Sequence, residues 1–334
     1  MIPVKIIGTG LYVPGEPIDN VTLKELAEIE FDAEKMENKI GIYQRHIAKL
    51  RAIDETTADF ATNAAINAIK NAEIDAQEVG LFIVATDTPE FITPATAILV
   101  QGRIQQGEKW AMSFDVAASC ASFTMAFDTA VSILNSNPLI KYAVVAGVYN
   151  MPAFIRPGDK FSYPIFADGA AAFVLKKDET ANGYVGSQML TDGTQWNFIG
   201  IYAGGAKNQI THQTLDENKH GLLSLQPLPG DRNVRLWPIV VDKILSNYQV
   251  DVQDVDHYVF TQINKSVIEK VMEAINQPIE KAHFVMDKYG YTGSACVPMA
   301  FHEGVKSGKI KRGDKVLFVA SGAGLSVGSN LFIY

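Results

Sequence analysis

Short apolar runs recur along the chain, separated by amphipathic segments. LFIVAT (81–86), AMSFDV (111–116), YAVVAG (142–147), AAFVLK (171–176), HYVFTQ (257–262) and KVLFVA (315–320) have the length and residue types of buried strands. Between them, TADFATNAAINAIKNA (57–72) and SVIEKVMEAIN (266–276) repeat apolar positions at helical spacing. Strands alternating with helices of this length predict an α/β fold with largely parallel sheets. Because the runs are apolar throughout rather than alternating, helices are expected on both sheet faces.

The pattern also echoes itself. LFIVATDT (81–88) resembles HYVFTQIN (257–264), CASFTMAF (120–127) resembles SACVPMAF (294–301), and KYAVVAG (141–147) resembles KVLFVAS (315–321). The offsets are 176, 174 and 174 residues, and Met-Ala-Phe recurs at the same place in the second pair. Three separated matches at nearly one offset predict a duplicated half. The halves divide near residue 175, giving an N-terminal half over 1–175 that carries Cys120 and a C-terminal half over 176–334. The stretch 177–250, with DETANG, GGAKNQ and QPLPGDRN, reads as insertions and surface loops.

Composition adds limits rather than a function. With 334 residues, 47% of them hydrophobic and 20% charged, the chain can build a core without disulfides or metals. A formal net charge of −8 argues against a nucleic-acid partner. No apolar stretch has the length of a membrane span, and the N-terminus lacks a signal-peptide pattern. Two cysteines do not make a secreted disulfide framework. A cytoplasmic enzyme is the default expectation. There is no metal-ligand spacing, P-loop or dinucleotide fingerprint, so no bound cofactor is expected.

The strongest chemistry lies in SFDVAASCASFTMAFDTAVSIL (113–134). A strand ends near Val116, small residues follow, and an amphipathic helix is expected to begin around Cys120. A thiol at a helix start faces unpaired N–H groups and the positive end of the dipole, which lower its pKa. Ala117, Ala118, Ser119, Ala121 and Ser122 leave room beside the sulfur. Read locally, Cys120 is either a nucleophile for acyl relay or a small buried hydrophobe. Cys296, flanked by Ala295 and Val297, reads as packing.

DVAASCASFTMAF resembles the active-site cysteine segment of ketoacyl-ACP synthase III enzymes of the thiolase superfamily. The likeness extends to IIGTGLYVP (6–14), KIGIYQRHIA (39–48), IFADGAAAFVL (165–175), SACVPMAFHEGVKSGKIKRGD (294–314) and SGAGLSVGS (321–329), in matching order and spacing. The resemblance implies a thiolase-like α/β fold: two similar βαβαβαββ-type halves in a five-layered αβαβα arrangement. It further implies a homodimer with the active site at the base of a narrow tunnel. The implied reaction loads an acyl group from an acyl-CoA or acyl carrier protein thioester onto Cys120. A malonyl-type thioester then loses CO₂ and its carbanion attacks the acyl-cysteine, as in fatty acid or polyketide-like biosynthesis.

This sequence departs from the family where the resemblance places the enolate-binding histidine and asparagine. Thr261 stands at the histidine position, in Thr261-Gln262-Ile263-Asn264, and Tyr291 stands at the asparagine position. Threonine can donate a hydrogen bond but cannot serve as a base near neutral pH, and tyrosine can donate through its phenol. The family's backbone donor in the glycine loop falls near Ala323. None of the histidines, at 46, 212, 220, 257, 283 and 302, falls at the expected position. His257 reads as structural, and His212 lies in the inserted region. Asp87, in ATDTPEF, occupies the place where related hydroxymethylglutaryl-CoA synthases carry a glutamate base. The tryptophan and arginine that often bind the CoA adenine are matched by Lys35 and Lys39, which would suit a phosphopantetheine arm, an acidic carrier or simply solvent. Thr93, in the ITPATA loop (92–97) that resembles the family's dimer loop, replaces a bulkier residue and would admit a longer acyl chain.

Three functional readings follow. The first is an acyltransferase that condenses acyl and malonyl-type thioesters with an altered site. The second is a non-decarboxylating acyltransferase to an oxygen, nitrogen or sulfur acceptor, which needs no enolate hole. The third is a non-catalytic partner subunit of a ketosynthase heterodimer.

Overall fold

The structure is a computed structural model that describes residues 2–179 and 182–334. Two mixed sheets form its frame. The first contains β1 (Val4–Tyr12), β2 (Val79–Ala85), β3 (Met112–Val116), β4 (Tyr142–Tyr149) and β5 (Gly169–Lys177), in the order β1-β5-β4-β2-β3. The second contains β6 (Tyr184–Thr191), β7 (His257–Phe260), β8 (Lys315–Gly322) and β9 (Ser326–Ile333), in the order β7-β8-β9-β6. Each of the six apolar runs contributes a strand. The sheets are not largely parallel as expected. β2 pairs parallel with β3 and β4, and β7 with β8, but β5 is antiparallel to β1 and β4, and β9 to β6 and β8. β8 turns directly into β9 at residues 323–325, which only an antiparallel pair allows.

The order β2-β4-β5-β1 in one sheet matches β7-β8-β9-β6 in the other, with the same parallel and antiparallel relations. This is the pair of similar halves that the echo predicts. β5 runs to Lys177, two residues past the expected division at 175. The stretch 177–250 is more ordered than its polar composition suggests. It supplies β6 and the helix Arg232–Tyr248, and turns and short elements dominate only between them. Pro238 and several charges obscure that helix in the sequence, yet Leu236, Trp237, Val240, Val241, Ile244 and Leu245 form its buried stripe.

Helices make the other three layers. α1 (Thr57–Asn71) and α2 (Thr96–Gln105) cover the outer face of the first sheet, with α3 (Ser122–Ser136) and α6 (Cys296–Lys306) between the sheets. α4 (Arg232–Tyr248) covers the second sheet, beside α5 (Lys265–Ala274). α1 sits unusually close to β1, with Ala58, Ala61, Ala64, Ala65 and Ala68 buried along it. A Cβ at Gly10 would lie 2.3 Å from the Ala64 carbonyl oxygen, so that position requires glycine. In the central layer, the two phenylalanines of the repeated Met-Ala-Phe meet one aromatic cluster. Phe127 and Phe301 both contact Phe173, Phe318 and Phe332, with ring centroids 5.2–6.3 Å apart. Burial of each such ring contributes roughly 2 kcal/mol. That core fixes α3 and α6, and with them the turns at their N-terminal ends.

Candidate active site

Four chain segments converge at the C-terminal ends of the parallel strands. After β3, the backbone turns sharply at Ser119, whose φ of 52° lies in the left-handed region. Cys120 follows, and α3 begins only at Ser122. The Ser122 hydroxyl accepts from the Ala118 N–H (2.8 Å) and donates to the Ser119 carbonyl, which locks the turn. After β8, Gly322 packs directly against it. A Cβ there would lie 2.6 Å from the Ala118 oxygen and 2.8 Å from the Cys120 nitrogen. After β2, Asp87 is set by its neighbours: the Thr86 N–H donates to the Val116 carbonyl, and the Thr88 hydroxyl accepts from Asn150 N–H (2.9 Å). After β7, the Thr261 N–H donates to the Val319 carbonyl, and its hydroxyl oxygen accepts from Ser321 N–H (2.9 Å). Tyr291 is held at both ends of its peptide, donating to the Ile165 carbonyl and accepting from Ala167 N–H, each at 2.9 Å.

These segments enclose a cavity of about 250 Å³. Cys120, Asp87, Thr261, Tyr291 and Ala323, the residues singled out from the sequence, all line it. Lys35 and Lys39 do not. They line a neighbouring groove of about 450 Å³ with Lys270, Asp231 and Asn264. Groove and cavity adjoin through consecutive residues, because Arg232 and Ile263 line the cavity while Asp231 and Asn264 line the groove. Thr93 is exposed and does not line this chain's cavity.

The thiol differs from its expected state. Burial, followed by the nearby Asp87 carboxyl, pushes Cys120 up to about 12, against the opposing pull of hydrogen bonds from Tyr291 and Ser119. The helix start does not provide the expected activation. Cys120 precedes it by two residues, and the N–H groups of Ala121 and Ser122 are already given to the Ala118 and Ser119 carbonyls. The resting sulfur is therefore a thiol, and the site needs a base.

A route for the proton is present. Ser119 Oγ donates to Asp87 Oδ2 (2.9 Å) and lies 3.7 Å from Cys120 Sγ. Asp87 Oδ1 is buried without a hydrogen-bond partner, and burial raises the Asp87 carboxyl above its ordinary value. Tyr291 is held neutral, since burial pushes its phenol well above the ordinary value. The sequence reading credited Ser119 only with being small. The signal was the hydroxyl itself, one residue before Cys120. Tyr149, Arg232, Asn233 and Ser321 also line the cavity and were not singled out. Arg232 and Asn233 lay in the stretch read as surface.

None of the six histidines lines the cavity. His257 accepts or donates with His283 (3.1 Å) and pairs with Asp314 (3.0 Å) at the far end of β7, a structural cluster. His212 is exposed on a short helix. Cys296 is fully buried, receives the Gln262 N–H on its sulfur at 3.4 Å, and stays in the core. Among the described residues, no group of three or more His, Cys, Asp or Glu side chains could hold a metal, and no helix is long and apolar enough to cross a membrane.

Comparison with known proteins agrees with this geometry. Residues 114–193 match the family described as 3-oxoacyl-[acyl-carrier-protein (ACP)] synthase III, and residues 245–334 match that family's C-terminal region. The chain is 34% identical over 333 residues to the beta-ketoacyl-[acyl-carrier-protein] synthase III of Wolbachia pipientis wMel, covering 98% of both chains. It is 31% identical over 331 residues to the Aquifex aeolicus enzyme of the same name, covering 99% of both. The crystal structure of 3-oxoacyl-[acyl-carrier-protein] synthase III from Aquifex aeolicus superposes with a TM-score of 0.85 over 99% of this chain and 100% of that one. A cysteine turn at the end of a strand, a second half that repeats the first, and full-length likeness to these enzymes lead to one conclusion: the chain belongs to the 3-oxoacyl-[acyl-carrier-protein] synthase III family of thiolase-like enzymes.

Proposed function

We infer that this protein is an acyltransferase that loads an acyl group from a CoA or acyl carrier protein thioester onto Cys120 and condenses it with a malonyl-type thioester. The observation that carries the reading is the line Asp87–Ser119–Cys120 inside one cavity. Asp87, as the carboxylate, takes the Ser119 hydroxyl proton while Ser119 takes the thiol proton. The thiolate attacks the thioester carbonyl, and the tetrahedral intermediate expels the carrier thiol, which leaves with a proton. In the second stage the malonyl carbon–carbon bond breaks, CO₂ departs, and the carbanion attacks the acyl-cysteine, so that the cysteine sulfur leaves. Thr261 and Tyr291 take the places of the usual histidine and asparagine, offering two hydroxyl donors to the developing oxyanion. The backbone N–H near Ala323 serves the acyl carbonyl. Lys35 and Lys39, in the adjoining groove, receive the phosphopantetheine arm or an acidic carrier surface.

A second reading, acyl transfer to an oxygen, nitrogen or sulfur acceptor without loss of CO₂, is favoured by one observation. Asp87 Oδ1 has no partner and is free to take an acceptor proton. The retained nucleophile turn weighs against a non-catalytic partner subunit. We also infer two homologous halves, 1–175 and 176–334, a homodimer and a cytoplasmic location. The dimer is supported by the free outer edge of β3 beside exposed Phe91, Ile92, Ile98 and Met112.

Intact-mass analysis after incubation with a panel of acyl-CoA and acyl-ACP donors tests the reading. The expected result is a single acyl adduct, absent in Cys120→Ala, and CO₂ release when malonyl-ACP follows. Transfer without CO₂ would favour the second reading. Absence of any adduct across the panel would overturn both.

A further inference from the structure

We propose that Arg232 binds a carboxylate at the far end of the acyl group on Cys120, so that the cavity selects ω-carboxyacyl thioesters. The proposal rests on the acyl-loading reading above. Its observation is a cation in the cavity wall without a counter-ion. Arg232 is the first residue of α4 and lines the cavity with the sulfur. Its Nη1 is buried without a hydrogen-bond partner, and its side chain forms no ion pair among the described residues. The buried Arg45 places Nη1 and Nη2 on the Ile18 and Pro164 carbonyls and on Asn20 Oδ1, and leaves only Nε without a partner.

The cavity offers Arg232 no anion of its own. Its charge is felt at Tyr291 and Cys120, both held in their neutral forms by burial. The remaining candidate, Asp87, has Oδ2 committed to Ser119 and is absent from the groups that act on Arg232. Guanidinium stays protonated in proteins; Arg232 as a whole is half-buried, and the unpaired cost falls on its buried Nη1. A ligand anion supplies the pair. A carboxylate matches the planar fork of the guanidinium with two parallel hydrogen bonds, whereas a phosphate monoester would bring up to two charges to one cation. The walls of the same cavity include Ile199, Leu222 and Leu228, which suit a short methylene chain. A carboxylate about to leave as CO₂ gains nothing from an ion pair that stabilises its ground state. The pairing therefore suits a carboxylate that persists on the loaded group.

The test compares amide-linked, non-transferable succinyl- and butyryl-pantetheine by calorimetry on the full chain, with malonyl and propionyl analogues as a second pair. Wild type is expected to bind succinyl ~10- to 100-fold more tightly than butyryl, the range of a charge-assisted hydrogen bond. Arg232→Met is expected to abolish that preference and Arg232→Lys to retain part of it. Equal binding of the first pair by wild type, or a preference that survives Arg232→Met, would overturn the proposal. A preference confined to the malonyl pair would place the charge on the second substrate and also overturn it. Intact-mass loading with succinyl-CoA and butyryl-CoA separates the two levels. Loading of butyryl without any succinyl preference sinks this inference alone. A succinyl binding preference with no loading at Cys120 sinks the acyl-transfer reading and leaves the carboxylate site standing.

Discussion

A thiol held near 12 is ionised in roughly one molecule in 10⁵ at neutral pH. Acylation of Cys120 at a useful rate then depends on removing the proton as the bond forms. Among the described residues, Ser119 carries the hydroxyl that reaches both sulfur and carboxyl, at 3.7 and 2.9 Å. Asp87→Asn should slow acyl loading by ~10²–10⁴-fold, the usual worth of a positioned base. Ser119→Ala should lose most of the same factor while leaving Asp87 in place. The pH profile carries the sign. Burial raises the Asp87 carboxyl above 3.8, so wild-type loading should climb with pH as Asp87 loses its proton and level off once it is ionised. Asp87→Asn should lose the plateau in single-turnover mass spectrometry, its small residual loading rising with the thiolate fraction across the whole range, and a wild-type profile in that variant would refute the relay. That Cys120 and Asp87 share the cavity wall was legible in the sequence because motif position marks them. The thiol's high pKa was not, because it depends on enclosure by segments from across the chain.

Among the elements, the short run Ile165–Asp168 ties the site to the rest of the molecule. It clasps Tyr291 through two backbone hydrogen bonds. Asp168 then joins this run to the segment after Gln44–Arg45, with its N–H on the His46 carbonyl and its Oδ2 accepting from Ala48 N–H, both at 2.8 Å. Its Oδ1 has no partner, and burial lifts the carboxyl to about 8. The folded chain therefore holds a proton that the unfolded chain releases near 4. Between about pH 4 and pH 8 the folded state binds more protons, so stability falls as pH rises through that window and flattens above it. Asp168→Asn should remove this slope. Urea unfolding of both proteins at pH 5 and pH 8 should show the variant gaining on wild type at the higher pH, and parallel changes would exclude the assignment. IFADGAAAFVL shows in the sequence as a family motif and a strand, but the aspartate's role needs the fold. Likewise α4 was hidden by Pro238 and its charged face, and Arg232 with it. α4 buries a stripe like any other helix, but Pro238 and the charges on its other face mask that period in the sequence.

At the scale of the whole molecule, the echo at offsets of 174–176 residues carried the architecture, because a duplicated half repeats its core as well as its strands. Phe127 and Phe301 show why, meeting one aromatic cluster from two sides. The antiparallel pairings were not legible, since buried strands look alike in composition whichever way they run. The proposed dimer rests on the same frame. β3 ends the first sheet with Met112 exposed and its outer edge unpaired among the described residues, and Phe91 and Ile92, in the loop before α2, are exposed at 52% and 83%. An unpaired edge flanked by apolar side chains is a template for a second strand. Two copies joined there by a twofold axis would make one continuous sheet and would cover these side chains on both protomers. Replacing Phe91 and Ile92 together with aspartate should place two unpaired charges at the joint while leaving each protomer's core untouched. In sedimentation velocity at micromolar concentration, wild type should run as a dimer and the double variant as a folded monomer. A wild type that sediments as a monomer across that range would remove the dimer from the account.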